Sequence, residues 1–223
     1  GYNCVFTFQN SKHRDRMEQL VASNKDIIGC LSCDVAENQM QPLFQERLPE
    51  LIQDRRIDCV VHSIAHARNM DRPLVETSLE DYLYAQHVSA YSFLEVVRCS
   101  HEHYKVPSYV ALSFLGATRA VPNYGVMGPA KAALESLVRG LSLELHVRCN
   151  AVSAGPVRTA AARGIPGFDR ILSHVESTAP LQCNVTIEQV GETVVAISEA
   201  TGMAGQVVHV DAGYSSVVPL LQQ

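Results

Sequence analysis

SYVALSFLGATRAVPNYGVMGPAKAALESLVRGLSLELHVRCNAV, residues 108–152, contains a short apolar run, a long amphipathic run and a second short apolar run. Residues 108–113 and 147–152 are short, largely apolar runs, as strands covered on both faces are. Residues 124–145 are too long for a strand and read as a helix. A strand, a helix and a strand with no hairpin turn between them describe a parallel crossover.

The alternation continues on both sides. Further strands are expected over 4–8, 27–33, 58–63 and 206–210, and helices over 12–22, 40–54, 79–100, 169–177 and 187–197. The fold class that follows is α/β, a doubly wound and mostly parallel sheet flanked by helices. A chain of 223 residues without repeats or linker suits one domain over 1–223.

Composition narrows the partners. The net charge is −5 and the basic residues are scattered, which argues against nucleic acid. No apolar run approaches the roughly 18 residues that span a bilayer, and no signal peptide is visible, so no membrane association is expected. Seven cysteines, an odd number, suit reduced thiols in a cytoplasm. Cys30 and Cys33 form a C-x-x-C, but on a strand side chains three apart point to opposite faces, and no second pair completes a zinc site. His101-Glu102-His103 lacks the i, i+4 spacing of a metal-binding helix. No metal is expected.

In a doubly wound sheet, ligands collect beyond the carboxyl ends of the strands. The segments there, 9–11, 34–35, 63–67, 113–116 and 154–159, are rich in small and polar residues that let a ligand reach the backbone. Tyr124 and Lys131 follow the fourth strand, seven residues apart. Seven residues of helix turn through about 700°, which would return the two side chains to within roughly 20° of one face. A phenol and an ammonium on one face can serve an oxygen that becomes negative, the lysine lowering the phenol's pKa and holding a cofactor sugar.

With that pair, the runs FTFQNSK (6–12), CDVAEN (33–38), VHSIAHA (61–67), SAYSF (89–93), SFLGATRAVPNY (113–124), NAVSAGPVRTAAARGI (150–165) and VVHVDAGYS (207–215) resemble the short-chain dehydrogenase/reductase superfamily. Within it the chain resembles the bacterial NADH-dependent enoyl-acyl carrier protein reductases, which space Tyr and Lys seven apart where most of the superfamily, ketoreductases included, use four. The resemblance implies a Rossmann-like fold and hydride transfer from NADH to the β-carbon of an enoyl thioester on acyl carrier protein. Tyr124 and Lys131 would be the catalytic residues, Tyr124 stabilising the enolate and Lys131 bridging the nicotinamide ribose hydroxyls.

The cofactor would also meet Gln9, Asp34 and Val35 at its adenosine end, and Ser63, Ile64 and Ala65 along the nucleotide path. Gly155, Pro156, Val157 and Thr159 would serve the carboxamide and pyrophosphate. The acyl group would meet Phe114, Tyr124, Met127, Ala160, Ile165 and Phe168. An uncharged Gln9-Asn10-Ser11 after the 4–8 strand favours NADH over NADPH. The family also implies a cytoplasmic homotetramer, with the helices over 79–100 and 124–145 packing across a dyad.

Three features depart from the family. A dinucleotide fold opens with a strand, a glycine-rich turn and a helix, and nothing before Cys4 supplies them. Gly1 reads as the glycine closing that helix, so the first βα unit is expected either upstream or replaced by a different closure of the sheet. The junctions at 145–147 and 197–201 look short for αβ connections, from absent residues or real deletions. Phe114 stands where many members have a second tyrosine, and His66 replaces a bulkier apolar group, which bears on the substrate. The alternative is a non-redox or inert protein on the same scaffold, a cyclase, isomerase or binding partner.

Overall fold

The computed structural model describes residues 2–70, 72–159, 162, 165 and 167–217. They form two compact units, one made of residues 2–58 with 95–106 and the other of the described residues in 59–94 and 107–217.

In the first unit, β1 (Cys4–Phe8) pairs in parallel with β2 (Ile27–Ser32), from Cys4 opposite Ile27 to Phe8 opposite Ser32. Between them a 3-10 turn, Ser11–His13, leads into α1 (Arg14–Ser23), and the Asn10 side chain accepts the Lys12 N–H at 3.1 Å. The helix expected over 40–54 is α2 (Met40–Pro42), a π turn (Leu43–Arg47) and α3 (Leu48–Ile52). Pro49 has no N–H to offer the Gln45 carbonyl four residues earlier, so the α ladder is broken there. Met40, Leu43, Phe44, Leu48 and Ile52 are buried from this stretch.

The second unit holds a four-stranded sheet of order β3-β4-β5-β6, with every pair parallel. The strands are β3 (Val60–His62), β4 (Ser108–Phe114), β5 (Arg148–Ala154) and β6 (Val207–Val210). Tyr109, Val110, Ala111, Cys149, Ala151 and Val152 are wholly buried, as successive apolar residues in a two-sided parallel sheet should be. The expected helix over 79–100 begins as α4 (Leu79–Gln86), passes a π turn (His87–Tyr91) and continues as α5 (Ser92–Tyr104). At that turn the Ser92 hydroxyl donates to the Val88 carbonyl at 2.7 Å, a local bond that opens helices.

α6 (Met127–Leu145) crosses from β4 to β5, and α7 (Phe168–Thr178) and α8 (Ile187–Glu199) lie between β5 and β6. The tight junction after α6 is a two-residue turn. His146 takes the left-handed conformation (φ 54°, ψ 39°) that usually falls to glycine, and Ser142 Oγ donates to the Val147 carbonyl at 2.8 Å. Asn150, fully buried on β5, donates to the Met203 carbonyl and accepts the Gln206 N–H, both at 3.0 Å, which fixes β6 beside it.

Candidate active site

The carboxyl end of β4 and the approach to α6 build the centre of the second unit. After the 3-10 turn Leu115–Ala117, the chain reaches Asn123 and Gly125, both left-handed at φ 58° and 37°. Tyr124 sits between them, and its carbonyl accepts the Met127 N–H at 3.0 Å. The helix starts at Met127, so Tyr124 lies in the preceding turn and not on the helix, as the spacing argument had expected. Two left-handed residues break the helical phase, and the phenol's direction is set by packing instead. Its ring lies 4.8 Å from that of Phe114, and a Cβ on Gly116 would stand 2.5 Å from Tyr124 Cε1. Only a residue without a side chain leaves room for the ring there.

Tyr124 is 8% exposed, and burial pushes its pKa above the ordinary phenol value. This corrects the expected direction. The buried ammonium of Lys131 donates to the Leu112 carbonyl at 2.6 Å, and desolvation of the phenol prevails. Lys131 itself is pulled down to about 8 by burial, against which Glu135 acts to raise it. The Ser113 hydroxyl donates to Glu135 Oε1 at 2.5 Å. His62, also buried, shares a 2.8 Å hydrogen bond with Ser92 Oγ, and burial followed by the charge of Lys131 lowers it to about 3.

Two clefts flank the segment 119–123. One, about 650 Å³, is walled by Tyr124, Gly116, Arg72, Arg119 and Pro129. The other, about 490 Å³ and more apolar, is walled by Phe114, Pro156, Ile171, Val175 and Tyr214. Phe114 and Tyr124 therefore touch each other while facing different clefts. Met127 is buried, its sulfur 3.6 Å from Ser89 Oγ, and lines neither cleft. Ile165 and Phe168 stand at the entry to α7 and are half-buried, while Ala160 lies outside the described residues.

Ser63 and Ala65 are exposed beyond β3, with Ile64 half-buried. The loop is anchored at His66, where the Ser89 hydroxyl accepts the backbone N–H and donates to the carbonyl, each at 3.0 Å. At the end of β5, Gly155 donates to the Val210 carbonyl at 2.7 Å, and a Cβ there would lie 3.0 Å from Asp211 Cα. Pro156 is buried, Val157 half-buried, and the Thr159 hydroxyl accepts the Ala162 N–H at 3.1 Å.

In the first unit, Gln9 Nε2 donates to Asp34 Oδ2 at 3.0 Å. Asp34 Oδ1 accepts the Ala36 N–H at 3.0 Å, and its own N–H goes to Gln39 Oε1 at 2.8 Å. The Gln9 amide is thus held by its NH2 group, which leaves its oxygen free to accept. Val35 is buried beside them. Each unit thus holds a group suited to a sugar hydroxyl: in the first the Gln9 amide oxygen, an acceptor, and in the second Lys131, with two of its three hydrogens uncommitted to Leu112.

Sequence reading missed Glu135 and His62. Glu135 follows Lys131 by four residues, a spacing that places both on one helix face and was available as a signal. His62 gave no such signal, because its partners come from distant α5 and α6.

A protein-family model described as Enoyl-(Acyl carrier protein) reductase matches residues 1–215. The enoyl-(acyl-carrier-protein) reductase (NADH) FabI of Escherichia coli strain K12 is 39% identical over 225 residues, covering 96% of this chain and 84% of that protein. The corresponding NADPH enzyme of Staphylococcus aureus strain MRSA252 is 37% identical over 229 residues, covering 97% of this chain and 88% of that one. The crystal structure of enoyl-(acyl-carrier-protein) reductase (NADH) from Aquifex aeolicus VF5 superposes with a TM-score of 0.89 at 35% identity, covering 97% of this chain and 87% of its own.

Proposed function

The chain belongs to the enoyl-(acyl carrier protein) reductase family, and on that footing we propose that it reduces the 2,3-double bond of an enoyl thioester on acyl carrier protein, with NADH as reductant. One observation carries the reading. Tyr124 is a desolvated phenol held in a cleft wall by Phe114 and Gly116. When bound, the reduced nicotinamide supplies a hydride to the β-carbon, which leaves negative charge on the thioester carbonyl oxygen.

Tyr124 donates its hydroxyl hydrogen bond to that oxygen, and a proton from solvent water then adds to the α-carbon. A phenol whose pKa burial has raised keeps its proton throughout, which is what a donor to a developing oxyanion requires. Lys131 offers its two remaining hydrogens to the ribose hydroxyls. Backbone groups of Ser63, Ile64, Ala65, Gly155, Pro156 and Val157, with Thr159, serve the rest of the dinucleotide. Phe114, Ala160, Ile165 and Phe168 serve the acyl chain, while Met127, buried and outside both clefts, supports the site through packing.

The preference for NADH rests on Gln9. Its amide oxygen can accept from a ribose 2′-hydroxyl, whereas a 2′-phosphate brings only acceptors and negative charge beside Asp34. The family resemblance supports a single Rossmann-like domain acting as a cytoplasmic homotetramer. Among the described residues, no helix is long and apolar enough to cross a membrane.

The test is NADH oxidation followed at 340 nm with a 2-enoyl thioester of acyl carrier protein. Tyr124→Phe should lower kcat by about 10²–10³-fold with NADH affinity unchanged. A wild-type protein that binds the thioester but oxidises no NADH would restore the non-redox alternative.

A further inference from the structure

Lys131 and Glu135 share a face of α6, and that face is buried: the two residues are 5% and 6% exposed. Both reach the end of β4. Lys131 Nζ donates to the Leu112 carbonyl at 2.6 Å, and the next residue, Ser113, donates to Glu135 Oε1 at 2.5 Å. A carboxylate taken out of water is costly unless something compensates it. Asp211, also buried, closes a turn by accepting the Gly213 and Ser215 N–H groups. Glu135 closes no turn. Its partner is a hydroxyl adjacent to the carbonyl that receives Lys131.

The other groups around α6 leave Lys131 to Glu135. His62 on β3 is held neutral by burial and by the ammonium itself. On α4, Glu80 pairs with Arg68 and Asp81 accepts from Asn69, both at the surface. In the π turn before α5, His87 lies against the ring of Tyr91, and on β5 Arg148 donates to the Ser198 carbonyl. Tyr124 carries no charge at neutral pH. Among the described residues, Glu135 is the charged group that acts to keep the proton on Lys131, beside the hydrogen bond to the Leu112 carbonyl.

We propose that Glu135, seated by Ser113, is a positioning residue that holds the Lys131 ammonium charged and aimed at the cofactor's sugar hydroxyls. The aim rests on the reading of Lys131 given above, but the electrostatic link does not. Neither Glu135 nor Ser113 touches the reacting atoms in this scheme. They act through Lys131.

The chain has four lysines, and three of them, Lys12, Lys25 and Lys105, are exposed. Protein grown with lysine labelled by carbon-13 at Cε therefore offers a resolvable NMR titration of Lys131 without cofactor. The wild-type midpoint should lie near pH 8. Glu135→Gln should lower it by about one pH unit or more, a tenfold loss of proton affinity. Ser113→Ala should move it less in the same direction, and Glu135→Asp should restore part of the loss. The alkaline limb of kcat/KM for NADH oxidation should shift in step.

An unmoved midpoint in cooperatively folded Glu135→Gln overturns the proposal. If that variant does not fold, Ser113→Ala, which deletes only a hydroxyl, is read the same way. A moved midpoint with an unmoved pH–rate limb also overturns it. A protein that binds no NADH yet shows the shift would end the reductase reading while supporting the Glu135–Lys131 link.

Discussion

Replacing Gly116 with alanine tests whether packing alone aims the phenol. The new Cβ would stand 2.5 Å from Tyr124 Cε1, nearer still to Cδ1, and 3.4 Å from Phe114 Cδ1. Ordinary contact begins near 3.4 Å, so the ring must retreat by about 1 Å, and Phe114 on its other contact resists. Overpacking of this kind costs about 1–3 kcal/mol, a fall of roughly 2–12 °C in Tm for a chain of this size. A displacement near 1 Å from the productive position costs about 10²-fold in rate. Steady-state NADH oxidation and a thermal melt measure both quantities. Gly191→Ala on α8, where a Cβ meets nothing within 4 Å, is the control and should be neutral or slightly stabilising. If Gly116→Ala kept kcat within about twofold of wild type, the hydroxyl would not depend on this wedge, and the geometric argument for Tyr124 would fail.

Other consequences are simpler to state. Gln9→Arg replaces an acceptor with a cation, removes the bond to Asp34, and should shift the NADPH-to-NADH ratio of kcat/KM by about tenfold or more toward NADPH. An unchanged ratio would remove Gln9 from cofactor choice. His62 has a folded-state pKa of about 3 against 6.5 for the free side chain. Between those values the unfolded chain takes up a proton that the native state refuses. Stability should therefore fall as pH drops from 6.5 toward 3, by up to about 1.4 kcal/mol per pH unit from this group. Urea unfolding at several pH values should show a shallower dependence in His62→Leu, and equal slopes would contradict the assignment.

Much of the fold was legible because parallel strands buried on two faces write themselves as short apolar runs. β1 occupies Cys4–Phe8, the segment expected, and β2, β4 and β6 differ from expectation by one residue at an end. The helices were less readable where local chemistry intervened. Pro49 and the Ser92 hydroxyl each open a π turn in a run whose periodicity looks continuous. The start of α6 was misjudged because the left-handed backbone at Asn123 and Gly125 leaves no trace in apolar spacing. At the centre, the types and order of Tyr124 and Lys131 could be read directly. What surrounds them could not: the wedge of Gly116, the carbonyl of Leu112 and the charge of Glu135 come together only once β4 and α6 are packed. The pKa direction of the phenol was wrong for the same reason, since burial is a tertiary property.

The two-residue link from α6 to β5 has an evolutionary corollary. With His146 already in a left-handed kink and Ser142 tied to Val147, there is no slack to absorb an added or deleted residue. One residue gained or lost inside α6 would rotate everything before it by about 100° and slide it by about 1.5 Å against the sheet, Lys131 included. Related genes should therefore accept substitutions along the outer side of this helix far more readily than changes in its length, and natural insertions should collect in the surface loops instead.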